Sequence, residues 1–193
     1  MMHKTSIAVI QAILFFSLVS NSYSETIEPL HPEVESPSFW KGTVEDIDHA
    51  VKQVRNGEVK IIAHSPGGRP VHLVTYGEPV ELDGHANYNS AVAARDADYY
   101  ARKTLETPPI VFFVGPPHGH EVEAMVGLVN LLHVAETGKD LRGRDWSQLR
   151  KNLEACRVLI VPLSNPDGRA RCPYDSIIGI PVDEMSRVGQ GTR

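Results

Sequence analysis

Residues 110–121 read IVFFVGPPHGHE, and this stretch decides the fold around it. Its first five residues form an unbroken apolar run, which is typical of a central β-strand covered on both faces. Gly115, Pro116 and Pro117 end the strand. Apolar residues then recur at helical spacing as far as Glu136, so the stretch predicts a strand, a tight turn and an amphipathic helix.

Further strands and helices are predicted on both sides of this unit. Helices are expected at 44–55, 90–103 and 146–155, a β-hairpin at 59–63 and 71–76, a buried strand at 158–163 and a turn at 165–168. Apolar strands that alternate with helices favour an α/β fold: a mixed sheet with helices on both faces, incomplete at the C-terminal end. Sites in such sheets lie beyond the carboxyl ends of central strands, which singles out residues 115–121 and 164–168.

The N-terminus has the three parts of a secretory signal peptide. Residues 1–4 carry positive charge, residues 5–19 are apolar, and Ser22 and Ser24 place small residues before a cleavage point at Glu25. The apolar run is too short to span a bilayer comfortably, so no stable membrane insertion is expected after cleavage. We therefore predict a signal peptide at 1–24, an irregular lead-in at 25–42, and a secreted or periplasmic protein.

Composition and net charge limit the kinds of molecule that the chain is expected to bind. The chain has 193 residues and a net charge of −5, which leaves no basic excess for binding nucleic acid. An exported chain meets oxidising conditions, so Cys156 and Cys172 are candidates for a disulfide. The alternative, a buried Cys156 that enters a strand and an unrelated Cys172, remains open.

Three pairs of histidine and glutamate have a spacing that suits a zinc ion. They are His118 with Glu121, His120 with Glu123, and His133 with Glu136. Zinc takes imidazole nitrogen and carboxylate oxygen, and catalytic sites keep one position for water.

Context favours the first pair. His118 leaves a buried strand and Glu121 opens a helix, so both side chains can converge above the strand end. His120 then lines the cleft or is a surface residue, and His133 with Glu136 is an exposed pair on one helix face. A loop histidine that binds no metal remains the alternative for His118.

Three stretches together give the chain a resemblance to a known family. They are 65–76, with the turn Ser-Pro-Gly-Gly-Arg-Pro and a strand; 111–121, a strand leading into His-x-x-Glu; and 158–168, a strand ending in Ser-Asn-Pro-Asp-Gly. In order and separation they resemble the zinc carboxypeptidases of the carboxypeptidase A-like family. The resemblance implies that residues 43–193 are the N-terminal part of a catalytic domain. It also implies that His118 and Glu121 bind Zn2+ and that 165–168 is a structural turn beside the cleft.

The same resemblance implies parts that this chain does not contain. The family has a third ligand histidine, a glutamate general base, an Asn-Arg pair and a tyrosine after the Asn-Pro-Asp-Gly turn, whereas no histidine follows His133 here. The general base is therefore expected beyond Arg193, and the chain is interpreted as a fragment that is inactive alone and binds zinc weakly. The resemblance also implies an arginine that stabilises the electrophile, for which Arg169, Arg171, Arg187 and Arg193 are candidates. Arg171 and Arg193 are favoured as substrate-binding residues, and solvated loop arginines remain the alternative.

The implied function is a metallocarboxypeptidase that removes C-terminal residues from peptides with a metal-activated water. One alternative is a zinc amidase or deacylase on the same fold, acting on cell-wall peptides or N-acyl amino acids. Another is a secreted binding domain without catalysis. The connection at 78–107 is long for the short forms of the family, which leaves the subfamily and its substrate preference open.

Overall fold

The computed structural model describes residues 36–79, 85, 87–102, 108–172, 175–176 and 182–185. The predicted signal peptide, most of the lead-in and Arg193 lie outside these residues. In chain order the elements are α1 (Val44–Lys52), β1 (Glu58–His64), β2 (Pro70–Tyr76), α2 (Tyr88–Ala93), a 3-10 helix (Ala97–Arg102), β3 (Ile110–Val114), α3 (Val122–Thr137), α4 (Ser147–Glu154), β4 (Arg157–Val161), α5 (Pro166–Arg171) and α6 (Val182–Met185). Among the described residues, no helix is both long and apolar enough to cross a bilayer.

The four strands form one mixed sheet in the order β1-β2-β4-β3. The hairpin β1–β2 is antiparallel, β2 pairs antiparallel with β4, and β3 runs parallel to β4. The predicted α/β fold with a mixed sheet is therefore confirmed. β3 and β4 are parallel and in register from Ile110↔Arg157 to Val114↔Val161. The loops that follow them therefore leave the sheet at the same end of the strands.

The core lies between this sheet and helices α1, α3 and α4. Its most buried side chains are contributed by the strands and by α3: Val74, Val122, Met125, Leu132, Val158 and Ile160. Thr43 caps α1 through a capping box with Asp46, and Gly138 ends α3 with a φ of 74°. Trp40, from the predicted lead-in, also packs against this core.

The central position predicted for residues 110–114 is not seen in the described sheet, because β3 lies at its edge. Phe113 packs on the core, whereas Phe112 and Val114 point to the other face and are 59% and 57% exposed. The helices that pack on the described core therefore lie on one face of the sheet. An apolar run indicates that a strand can be covered on both faces. It does not specify which segments cover the strand, because those segments are distant in sequence.

Two other predicted elements differ in detail. The alanine-rich helix at 90–103 is divided into α2 and the 3-10 helix, because Arg95 adopts a φ of 61° between them. The turn at 165–168 is the first turn of α5, with Asn165 as its N-cap and Pro166 as its first residue. Both residue types favour a helix start, since an asparagine side chain caps the N–H groups and proline needs no N–H there.

Cys156 and Cys172 form no disulfide in the described structure. Cys156 precedes β4 and Cys172 follows α5, so the whole of β4 separates them. The alternative of two unlinked thiols therefore describes this structure, but the buried thiol is Cys172, whereas Cys156 is only partly buried.

The loop between α3 and α4 is organised by one buried carboxylate. Asp140 is 2% exposed and accepts hydrogen bonds from the Arg144 side chain at 2.6 Å and the Trp146 indole at 3.1 Å. It also accepts from the backbone N–H groups of Arg142 and Arg144. Burial raises the pKa of Asp140, but these hydrogen bonds outweigh it and hold the pKa at about 2 instead of 3.8.

Replacing Asp140 by asparagine is expected to change the acid side of the stability curve. Because the folded pKa is lowered, the carboxylate stabilises the fold above pH 4, and this contribution is lost as the pH falls towards 2. Asp140→Asn is therefore expected to be less stable than wild type at pH 7 and to approach it between pH 4 and 2. Urea unfolding at a series of pH values tests this, and a constant difference would contradict it.

Candidate metal centre

The two regions singled out from the sequence meet at the carboxyl ends of β3 and β4. The loop after β3 and the segment after β4 leave parallel, adjacent strands, and the Gly115 N–H donates to the Val161 carbonyl at 2.6 Å. Residues 115–121 therefore lie beside residues 162–169. We call 115–121 the metal loop, because it holds His118 and Glu121.

His118 and Glu121 face each other across the end of the metal loop. Nδ1 of His118 lies 3.3 Å from Oε1 of Glu121, and the His118 N–H donates to Oε2 at 3.2 Å. The Glu121 N–H donates back to the His118 carbonyl at 3.2 Å. Glu121 occupies the N-cap position of α3, and its side chain makes no capping hydrogen bond to the helix. The structure thus brings this predicted pair together in one small space.

The 3.3 Å separation suits a shared divalent ion. Zinc bonds to nitrogen and oxygen ligands are about 2.0–2.2 Å, which places two ligand atoms of a tetrahedral site about 3.3–3.5 Å apart. His120 adds a third donor, since ligand atoms of His118, His120 and Glu121 all lie within 4.8 Å of one another. The rings of His118 and His120 are nearly parallel, with centroids 5.5 Å apart. His118 and Glu121 fit a zinc ion by donor type and by distance, and His120 lies close enough to line the same space.

The segment after β4 holds the backbone of the metal loop. Its side chains donate to the loop carbonyls. The single Ser164 hydroxyl proton lies within reach of the Gly115 and Pro116 carbonyls at 3.0 and 2.8 Å, Asn165 donates to Pro117 at 2.7 Å, and Arg169 donates to Gly119 at 3.2 Å. We call Ser164, Asn165 and Arg169 the cradle. Unpaired buried carbonyls cost free energy, so these bonds favour one loop conformation. The Asn-Pro-Asp-Gly stretch therefore supports the loop that carries the candidate ligands.

Asp167, in the same stretch, fixes the hairpin turn. It is 4% exposed and accepts from the Gly67 N–H at 2.8 Å, the Ser65 hydroxyl at 2.9 Å and the Arg69 guanidinium at 2.7 Å. The Gly67 N–H bond lowers the pKa of Asp167 most, burial raises it, and the bonds from Arg69 and Ser65 lower it further. All three stretches behind the family resemblance thus meet around residues 164–169.

The remaining candidates are placed differently. Arg171 is exposed on α5, and Arg193 lies outside the described residues, so their predicted substrate-binding roles stay predictions. Glu136 accepts from the N–H groups of Arg55 and Asn56 and from the Tyr76 hydroxyl, which explains its position without a metal. Nothing in the local sequence marks Arg169 as buried, because its partner Gly119 lies 50 residues away.

Comparisons with known proteins give a partial match. No protein-family model and no curated protein matches the chain. Solved structures that match include a metallo-carboxypeptidase from Burkholderia cenocepacia at 23% identity and a TM-score of 0.43, covering 65% of this chain and 27% of that one. The carboxypeptidase A from Helicoverpa armigera matches at 16% identity and a TM-score of 0.42, covering 84% and 32%. Thrombin-activatable fibrinolysis inhibitor matches at 11% identity and a TM-score of 0.43, covering 75% and 30%.

The chain spans between a quarter and a third of the length of these solved structures. The solved structures to which this chain is similar include metallocarboxypeptidases, the family that its three sequence stretches resemble.

Proposed function

We propose that this chain supplies two zinc ligands, His118 and Glu121, to a metallocarboxypeptidase that removes C-terminal residues from peptides. The observation that carries the proposal is the 3.3 Å separation of His118 Nδ1 and Glu121 Oε1 at the carboxyl end of a parallel strand. In open α/β sheets, ligands bind beyond the carboxyl ends of the strands. One imidazole nitrogen and one carboxylate oxygen from a short segment match part of the ligand set of catalytic zinc sites.

The residues of the chain would hold the ion and keep its ligands oriented. The His118 N–H binds Oε2 of Glu121, which leaves Oε1 turned towards His118 Nδ1. A zinc ion bound there would lower the pKa of a bound water and polarise the scissile carbonyl. The cradle would keep the loop backbone fixed while substrate enters and leaves. Precise support of this kind is what metal ligands need from the groups around them.

We further propose that the protein is secreted or periplasmic and that its substrates are peptides with a free carboxyl terminus. The predicted signal peptide at 1–24 supports the first statement and the family resemblance supports the second. A protein of this function would release the last residue of a peptide acid but not of the matching peptide amide. Equal cleavage of both would favour the amidase alternative.

Zinc titration of the 193-residue chain tests the ligand assignment. His118→Ala and Glu121→Ala are each expected to weaken zinc binding by more than about 100-fold, because loss of a group that only supports a ligand already costs about 10–100-fold. His133→Ala is the matched control, since His133 also precedes a glutamate by three positions but lies near the far end of α3. Isothermal titration or competition with a chromophoric chelator gives the affinities.

The result has two clear readings. Weakened binding in the His118 and Glu121 variants alone supports the metal centre. If all three variants bind zinc as wild type does, or if His133→Ala has the largest effect, the ligand assignment is wrong and the peptidase proposal loses its basis.

A further inference from the structure

Arg169 is a buried arginine whose guanidinium faces the metal loop. Its side chain is 5% exposed, Nη1 donates to the Gly119 carbonyl at 3.2 Å, and Nη2 lies 3.5 Å from Oδ1 of Asp175. A buried guanidinium is costly unless its charge and its N–H groups are paired. The chain keeps this group buried against the carbonyl of Gly119, the residue between His118 and His120. Solvation at the protein surface therefore does not explain the position of Arg169.

The cradle contacts several carbonyls of the metal loop. Of these, the Gly119 carbonyl is the only one that lies between the two candidate ligands in the sequence. Ser164 and Asn165 hold Gly115, Pro116 and Pro117, which come before the ligands. Arg169 holds the peptide that lies between His118 and Glu121 in the chain. The Gly119 carbonyl belongs to the peptide between Gly119 and His120, so a change of the backbone there would alter the course of the chain between His118 and Glu121 and separate the two side chains. Arg169 thus restrains the backbone motion that would pull the ligands apart.

We propose that Arg169 is a positioning residue of the metal centre, acting through the Gly119 peptide and not by contact with the metal or the substrate. This inference rests on the proposed function, because it assigns Arg169 to the same centre. Arginine suits the position better than lysine, since its planar fork reaches the Gly119 carbonyl and the Asp175 carboxylate from two different nitrogens. Loss of the side chain would leave the Gly119 carbonyl without this donor.

The competing explanation is that Arg169 only anchors α5 and the segment at 175–176. Both explanations predict some loss of stability when Arg169 is replaced, so stability alone does not separate them. They differ at the metal loop. A positioning role predicts a local effect on residues 118–121, whereas an anchoring role predicts effects on α5 and on the fold as a whole.

Amide hydrogen exchange of the metal-free chain gives the first test. In Arg169→Met, the N–H groups of His118 and Glu121 are expected to exchange about 10–100-fold faster, as loss of a charge-assisted hydrogen bond implies. Arg171→Met is the matched control, because Arg171 is an exposed arginine on the same short helix. Arg169→Lys keeps the charge and one donor and is expected to fall between wild type and Arg169→Met.

The buried amides of α3 report global stability in the same spectra. If Arg169→Met does not fold, Arg169→Lys decides. Unchanged exchange at His118 and Glu121 in the folded Arg169 variants would overturn the proposal. So would an increase of equal size at the core amides of α3, because that is the signature of the anchoring role.

Metal binding gives the second test, read as zinc affinity and as the visible spectrum of bound Co2+. The Arg169 variants are expected to bind zinc about 10–100-fold more weakly and to show a shifted Co2+ spectrum, while Arg171→Met matches wild type. A wild type with no zinc affinity would overturn the proposed function, whereas the exchange result would still decide whether Arg169 orders the loop. Zinc affinity and Co2+ spectra unchanged in the Arg169 variants would overturn the positioning role itself.

Discussion

Replacing Gly119 by alanine is expected to cost about 3 kcal/mol of unfolding free energy, the upper end for an overpacked site. A Cβ at Gly119 would lie 2.0 Å from the carbonyl carbon of Gly168 and 2.1 Å from the backbone nitrogen of Arg169. These are backbone atoms at the start of α5, so no side-chain rotation relieves the contact. The metal loop or α5 must move, and zinc binding is expected to fall with stability.

Gly127→Ala is the matched control for this substitution. Gly127 is an exposed position inside α3, and a Cβ there meets no atom within 4 Å. Alanine is the better helix former by roughly 1 kcal/mol, so this variant is expected to be more stable than wild type. Urea unfolding of both variants gives the comparison. A Gly119→Ala chain as stable as wild type would show that the loop does not pack against α5 as described.

The elements that were predicted correctly from the sequence are those that depend on local patterns. The hairpin β1–β2 follows from two apolar stretches around Ser65-Pro66-Gly67-Gly68, and α1 follows from the Thr43 cap and its apolar stripe. The meeting of His118 with Glu121 was also predictable. It needs only a strand end, a short turn and a helix start, all within 12 residues of sequence.

The contacts that support the site could not be predicted in the same way. Arg169 reads in the sequence as one of several arginines in a polar stretch, and nothing local marks it as buried. Its burial depends on Gly119, 50 positions earlier, and on the parallel pairing of β3 with β4. The edge position of β3 is a similar case, because it depends on which distant strands pair and not on the apolar run itself.

Asp167→Ala is expected to destabilise the chain by more than the sum of Ser65→Ala and Arg69→Met. Ser65→Ala should cost about 1 kcal/mol for one hydrogen bond, and Arg69→Met about 1 kcal/mol or less, because the Arg69 side chain is 42% exposed. Asp167→Ala removes the acceptor of both and also that of the Gly67 N–H. The turn between β1 and β2 then loses its attachment to α5. Urea unfolding of the three variants gives the order.

The charge of Asp167 can be tested separately with Asp167→Asn. Its pKa is lowered in the folded protein, so the carboxylate stabilises the fold above its unfolded pKa of about 3.9, and this contribution is lost as the pH falls below that value. Wild type is therefore expected to be more stable than Asp167→Asn at pH 7, and the two are expected to converge in acid. A pH-independent difference would mean that the charge of Asp167 adds nothing and that hydrogen bonds which an amide can also make hold the turn to α5.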